Sequence, residues 1–171
     1  MKPTRPIRIE GDVAYVPLTK GYVAIIDVED VPLVQGQNWC AYLDRNTVYA
    51  KRKGPMPERR TICMHRIIMG DPLGLEVDHR DGNGLNNRKR GETGNLRVAT
   101  RSQNAQNQAM SVRNTSEIKG VSWEDSRQKW RADIKVNCKN VAFGRFDSKE
   151  AAGARVREKR LVLHSEFARE A

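Results

Sequence analysis

An α+β fold assembled from small modules is what this 171-residue chain predicts. It comprises a β-rich N-terminal region, a central strand–loop–strand–helix core, and a three-stranded antiparallel sheet packed on one helix. Three observations lead there. Short β-branched and aromatic runs separated by turn residues fill the first 64 residues. A second set of alternating runs between residues 120 and 146 leads into an Ala-rich segment that begins with helix-capping residues. Apolar residues make up 38% of the chain and charged residues 30%, which favours small cores over one large one.

Taken in order, Val13–Leu18 and Tyr22–Ile26 read as strands separated by the turn residues Thr19–Gly21. Asp30–Gln35 predicts one helical turn, with Pro32 near its start. Trp39–Leu43 and Thr47–Lys51 flank Asp44–Asn46, a hairpin turn. Lys51–Arg60 reads as a Pro- and charge-rich loop, and Thr61–Met69 as an apolar strand. Past the polar stretch Ala109–Glu117, Gly120–Trp123, Lys129–Val136 and Asn140–Phe146 alternate as three strands, linked by turns at 124–128 and Asn137–Lys139. A helix then runs to about His164, with Asp147 or Ser148 as its N-cap. The chain so read divides into residues 1–64, 65–112 and 113–171.

The 31 Lys and Arg exceed the 21 Asp and Glu, a formal charge of +10. The surplus is spread: +3 over residues 1–64, +3 over 65–114 and +4 over 115–171. A basic tail on a neutral domain is thereby excluded, and a polyanionic partner is favoured, because cations that neutralise phosphates release condensed counterions. No apolar stretch of signal-peptide or membrane-spanning length occurs. Cys40, Cys63 and Cys138 are odd in number and far apart, against both a disulfide framework and a zinc knuckle. A soluble, cytoplasmic protein without membrane partners is expected.

The chemistry concentrates in the middle. Glu76–His79 ends an apolar run on an Asp-His pair; a Gly/Asn-rich loop follows, then a short strand at 96–99 and a helix start that Thr100 or Ser102 can cap. Metal-assisted phosphodiester hydrolysis needs a carboxylate to hold a hard cation against a phosphate oxygen. It also needs a base with pKa near 7, which a neutral His supplies. Neighbouring strand residues point to opposite faces, so Asp78 and His79 can approach one phosphate only where the strand ends. Asn104, Asn107 and Gln108 are spaced to share a helical face.

Residues 65–108 resemble the HNH endonucleases of phages and mobile introns. The likeness is carried by His65-Arg66, Val77–His79, Gly82-Asn83, Asn87-Arg88, Asn95–Arg97, Thr100, Asn104 and Asn107. The resemblance implies a ββα-metal core acting in the cytoplasm of an infected or bacterial host cell. His79 would be the general base, Asp78 and Asn104 the metal ligands, and Asn95 the asparagine that pins the loop and orients the base. Arg88 and Arg97 would clamp phosphate. The loop Lys89–Gly94 is longer than in the family pattern, and Asn104 fills the last position in place of His. An Asp/Asn oxygen pair suits a divalent Mg²⁺ or Mn²⁺ over Zn²⁺. His65, within an apolar run, reads as packing there rather than binding metal.

Residues 115–169 resemble the Apetala-two (ethylene-response-factor) DNA-binding domain, through Lys119–Trp123, Lys129–Arg131, Gly144–Asp147, Ala151-Ala152 and Leu163–Phe167. That resemblance implies a sheet that enters the major groove of duplex DNA. The residues themselves predict one basic strand face opposite one apolar face on Lys129–Val136. The DNA-binding candidates are Lys119, Trp123, Arg127, Lys129, Arg131, Lys135 and Arg145.

Together these readings predict a metal-dependent, site-preferring endonuclease of homing type acting on double-stranded DNA. One nuclease motif per chain makes nicking the simpler outcome; monomer and weak dimer both stay open. The rival is a sequence-specific DNA-binding regulator built on a non-catalytic nuclease-like scaffold.

Overall fold

The computed structural model describes residues 3–44, 46–92, 94–111, 113–137, 139–164 and 167. It is an α+β protein, and by packing the chain separates into two compact units, Met1–Ala99 and Thr100–Ala171. The packing therefore divides the molecule near residue 100.

In the first unit, β1 (Arg8–Glu10), β2 (Val13–Pro17) and β3 (Val23–Asp27) form an antiparallel sheet in that order. Alternation along β2 buries Ala14 and Val16. The expected helical turn is α1 (Val31–Val34), with Pro32 in its first turn, where its missing N–H costs no bond. A second sheet joins β4 (Cys40–Asp44), β5 (Thr47–Lys53) and β6 (Thr61–Cys63). Arg45, in the predicted β4–β5 turn, lies outside the described residues.

The strand expected over Thr61–Met69 stops at Cys63, and Met64–Ile68 form helix α2. Met64 and Ile68 are four residues apart, so a helical turn buries both in the core. β5 also continues to Lys53, because Lys51–Lys53 pair with Thr61–Cys63. The third sheet is the pair β7 (Glu76–His79) and β8 (Leu96–Ala99), in antiparallel register with Asp78 opposite Arg97.

One core holds this unit together. Ala14, Val16, Ile26, Val34 and Trp39 from the N-terminal region pack with Met64, Ile68, Val77 and Leu96. Trp39 is fully buried and its Nε1 donates to the Val34 carbonyl at 3.0 Å, so its one polar atom is satisfied. Residues 1–64 supply nine of the twelve buried residues of this core, which lies beneath β7 and β8.

A non-strand segment completes the first sheet. Ile25 N–H donates to the Leu85 carbonyl at 2.8 Å and Asn87 N–H donates to the Ile25 carbonyl at 2.7 Å, a parallel bridge on the edge of β3. At the end of β3 the buried Asp27 carboxylate accepts from Arg88 Nε (2.8 Å), Lys89 N–H (2.8 Å) and Arg90 N–H (3.0 Å).

In the second unit, Thr100 caps α3 (Arg101–Asn107) through a capping box. Its hydroxyl accepts from Gln103 N–H at 3.2 Å, and Gln103 Oε1 accepts from Thr100 N–H at 2.8 Å. The helix ends at Asn107; Gln108 is extended, so it does not continue the face shared by Asn104 and Asn107. β9 (Val121–Glu124), β10 (Lys129–Val136) and β11 (Lys139–Phe146) form the expected antiparallel sheet with β10 central. Cys138, in the β10–β11 turn, lies outside the described residues. Helix α4 (Lys149–His164) packs on this sheet around Val121, Ala132, Ile134, Ala152 and Val156. Ser148 Oγ accepts from Ala151 N–H at its start. Gly120, at φ +87°, sits where a Cβ would lie 2.7 Å from the Asp133 carbonyl, so the close approach of β9 to β10 requires glycine there.

Burial raises the proton affinity of Asp27, but the bonds from Arg88, Lys89 and Arg90 outweigh it and hold the carboxyl below its ordinary 3.8. The unfolded chain then binds the proton more tightly, so the stabilisation is complete above pH 4 and is lost as pH falls below it. Asp27→Asn is expected to lower stability by about 3 kcal/mol at pH 7. It should also flatten the fall of Tm between pH 4 and pH 2; an unchanged acid limb would contradict this account.

Candidate functional site

β7 ends on Asp78-His79, and the chain turns at once: Gly82 N–H donates to the His79 carbonyl at 2.9 Å, with Gly82 at φ +74°. The loop beyond satisfies itself. Asp81 Oδ1 accepts from Asn83 N–H (2.7 Å) and Asn95 Nδ2 (2.8 Å), and Asp81 Oδ2 accepts from Asn86 Nδ2 (3.0 Å). Asn95 also donates to the Asn86 carbonyl (2.8 Å), while its Oδ1 accepts from Asp81 N–H (3.0 Å). One buried asparagine side chain thus ties both ends of the loop together.

Asp78 and Arg97 face each other across the strand pair. Arg97 Nε and Nη2 lie 2.8 and 2.7 Å from Asp78 Oδ2, with both side chains buried. Asp78 can therefore offer a cation at most one oxygen while this pair stands.

His79 is buried, and its Nε2 lies 3.2 Å from Asn87 Oδ1. Asn87 is fully buried, and its Nδ2 donates to the Leu85 carbonyl at 3.1 Å. The amide orientation this sets makes Oδ1 an acceptor, so the imidazole carries its proton on Nε2 and its basic lone pair on Nδ1. Burial pushes the His79 pKa down, against smaller upward pulls from the Asn87 bond and the charges of Asp81 and Asp78. The ring is neutral at pH 7.

Two aromatic rings close around it. His65, on α2, meets His79 edge-on at 5.1 Å between centroids, and Tyr49, on β5, lies 5.6 Å from His65 and 5.8 Å from His79. Burial, then the neighbouring His79, Arg66 and Lys51, push the His65 pKa down to about 3. His65 Nδ1 is buried without a hydrogen-bond partner. Gly84 lies so close to the hairpin that a Cβ there would come within 2.6 Å of the Tyr49 ring and the Val48 carbonyl. Its N–H donates to Thr47 Oγ1 at 2.8 Å.

The structure therefore brings Asp78, His79 and Asn95 together. Arg88 lies on the same loop, but its guanidinium is bound by Asp27 and Asp12, two carboxylates with which any phosphate must compete. Asn104 belongs to the second unit, on the first turns of α3. Asn87, Tyr49 and Asp27 were missed as site residues. Asn87 stood inside the Asn87-Arg88 pair of the motif, and that was its only signal; Tyr49 and Asp27 lay in strands without any chemical pattern.

For the implied cation, the chemistry of the donors decides. Asp78 in the first unit and Asn104 in the second each carry a hard oxygen, the donor type that Mg²⁺ or Mn²⁺ takes. Among the described residues no group of three or more His, Cys, Asp or Glu is placed to hold a metal.

On the second unit, register separates the DNA-binding candidates. Lys129, Arg131 and Arg145 share one face with Ser122, Glu124 and Asp133. Trp123 lies on the opposite, helix-facing side, paired with Trp130 and edge-on to it at 5.1 Å. Lys129 pairs with Asp147 (2.6 Å), Arg131 with Asp133 (3.5 Å), and Arg145 (2.7 Å) and Arg127 (3.2 Å) with Glu124. Lys135 is exposed. Lys119 Nζ donates to the carbonyls of Gln106 (2.8 Å) and Gln108 (2.5 Å), where it caps the end of α3.

No described helix is long and apolar enough to cross a membrane. Among known proteins, the HNH endonuclease family matches residues 46–106, a stretch that takes in β5, β6 and α2 as well as the motif. The chain is similar to Protein 3.8 of Escherichia phage T7, 37% identical over 98 residues, which are 57% of this chain and 77% of that protein. No solved structure matches. The chain belongs to the same family as that phage protein and carries an HNH endonuclease domain.

Proposed function

We propose that the protein is a metal-dependent, site-preferring DNA endonuclease of homing type that nicks duplex DNA in the cytoplasm of an infected cell. The observation that carries this is the buried neutral His79, held by Asn87 in the tautomer with Nδ1 basic, at the end of the strand that bears Asp78.

In this reading His79 Nδ1 takes a proton from a water whose oxygen attacks the scissile phosphorus, and the P–O3′ bond breaks on the opposite side. Asp78 and Asn104 would hold the divalent cation. Bound there, it supplies positive charge that stabilises the extra negative charge on the phosphoryl oxygens and the leaving 3′-oxygen. Asn87 orients the base, and Asn95 keeps the loop closed behind it. Arg97 holds Asp78 in place; Arg88 is assigned a phosphate contact that requires it to leave Asp12.

The sheet β9–β11 is proposed to read the duplex in the manner of an Apetala-two domain, through Lys129, Arg131, Lys135 and Arg145 with Arg127 at the rim. The ion pairs of Lys129, Arg131, Arg145 and Arg127 lie at the surface with carboxylates at least partly exposed; surface pairs contribute about 0–1 kcal/mol, so phosphates can replace the carboxylates. Lys119 and Trp123 are assigned supporting roles in this unit.

Nicking of supercoiled plasmid in Mg²⁺ tests the reading. His79→Ala and Asp78→Ala are each expected to lower the rate by at least about 100-fold; wild-type rates in both would end it. DNA binding with no cleavage in any divalent metal would instead identify a regulator. For Asn87, Asn87→Ala is expected to reduce kcat by about 10- to 100-fold with little change in KM. Asn87→Asp keeps an acceptor for Nε2–H and should retain more activity; equal losses would deny the orienting role. If about six phosphates are neutralised, log K should fall with log salt at a slope of roughly −5.

A further inference from the structure

The middle sheet has two faces of different chemistry. Along β5, Val48, Ala50 and Arg52 alternate with Thr47, Tyr49, Lys51 and Lys53. The first set turns inward: Ala50 is buried and the Arg52 guanidinium lies over the Trp39 ring. On the second face Tyr42 of β4 sits directly opposite Tyr49. Lys51 Nζ lies 3.8 Å from the Tyr42 ring centroid and 5.3 Å from that of Tyr49. Lys53 Nζ donates to Thr61 Oγ1 at 3.0 Å. Tyr42 is 52% exposed, a large aromatic surface left in solvent.

Three features make this face a binding surface. It is continuous with the proposed catalytic histidine, because Tyr49 packs against both His65 and His79. Among the described residues, neither Lys51 nor Lys53 has a carboxylate partner, in contrast to Lys129, Arg131 and Arg145 of β10 and β11. Two residues apart on a strand, their Cα atoms are separated by about 7 Å, close to the spacing of consecutive phosphates along a nucleic-acid strand.

Resting on the endonuclease reading, we propose that the Tyr42–Tyr49–Lys51–Lys53 face seats the backbone of the cleaved DNA strand beside the scissile phosphate. Lys51, steered by cation–π contact with the two tyrosines, takes one phosphate and Lys53 the next. Tyr42 covers the sugar between them. The β-rich N-terminal region thereby enters the nuclease site as its substrate rail, and β5 carries both the ring that walls the base and the charges that hold the strand.

The test uses full-length protein with His79→Ala, so that DNA stays intact, and a fluorescent DNA duplex titrated by anisotropy across a salt series. Adding Lys51→Gln and Lys53→Gln should weaken binding and make the log K–log salt slope shallower by roughly 2. Lys51→Arg with Lys53→Arg keeps both charges and should keep the slope, which separates charge from folding. With His79 intact, the Gln pair should also slow nicking at subsaturating DNA. An unchanged slope and affinity in the Gln pair, in a parent that binds DNA, overturns this proposal alone. A parent without salt-dependent DNA binding overturns the endonuclease reading and the proposal with it.

Discussion

Residues 85–90 lie on the edge of β3, held at one end by the two backbone bonds of Ile25 and at the other by the carboxylate of Asp27. A buried carboxylate loses its hydration, and the loss is tolerable only when several donors replace the water. Here two backbone N–H groups and a guanidinium do so, and each comes from the loop that must be positioned. The same bonds that satisfy Asp27 therefore fix the path of the chain through Asn87. Asn87 in turn fixes the His79 ring. The position of the proposed base is set from the first sheet, more than 50 residues upstream in the chain.

Burial then decides the protonation of that base. Two imidazoles at 5.1 Å in a poorly solvated pocket cannot both be charged, and desolvation drives both pKa values down. Asp78 would oppose this by drawing a proton onto its neighbour. Arg97 limits the effect, since its guanidinium neutralises Asp78 across the strand pair. The Asp78–Arg97 pair thus does two things at once: it keeps an anionic oxygen at the end of β7, and it keeps that anion from charging His79.

Much of this was legible in the sequence where one residue type has one strong local preference. The Thr100 cap with Gln103 three residues on, the alternation of Lys129–Val136 and the Asp-His pair before a Gly/Asn turn all express chemistry within a few residues. Met64–Ile68 failed because a short apolar run fits a buried strand and a buried helical turn equally well; only the pairing of Thr61–Cys63 and the fit of Met64 and Ile68 into the core separate them. Asp27 and Asn87 were illegible for another reason. Their partners lie across the fold, and a carboxylate at a strand end carries no mark of the backbone it will bind. Register places Trp123 with Trp130 on the helix-facing side, and it stays 39% exposed there.

Charge counting meets the same limit, and the structure supplies a criterion that composition lacks. A cation can be surrendered to a phosphate when its carboxylate partner can return to water, as Glu124 and Asp147 can. It cannot when the partner would be stranded in the core. Moving Arg97 off Asp78, or Arg88 off Asp27, would leave a buried anion short of donors, at a cost of about 3–5 kcal/mol, more than a single phosphate contact returns. Arg88 has one exposed partner, Asp12, and one buried partner, Asp27, so it can turn one side of its guanidinium to DNA while Nε stays with Asp27. The +10 surplus therefore resolves into cations committed to the fold, cations exchangeable on the C-terminal sheet, and cations that need no exchange at all, the two lysines of β5 among them.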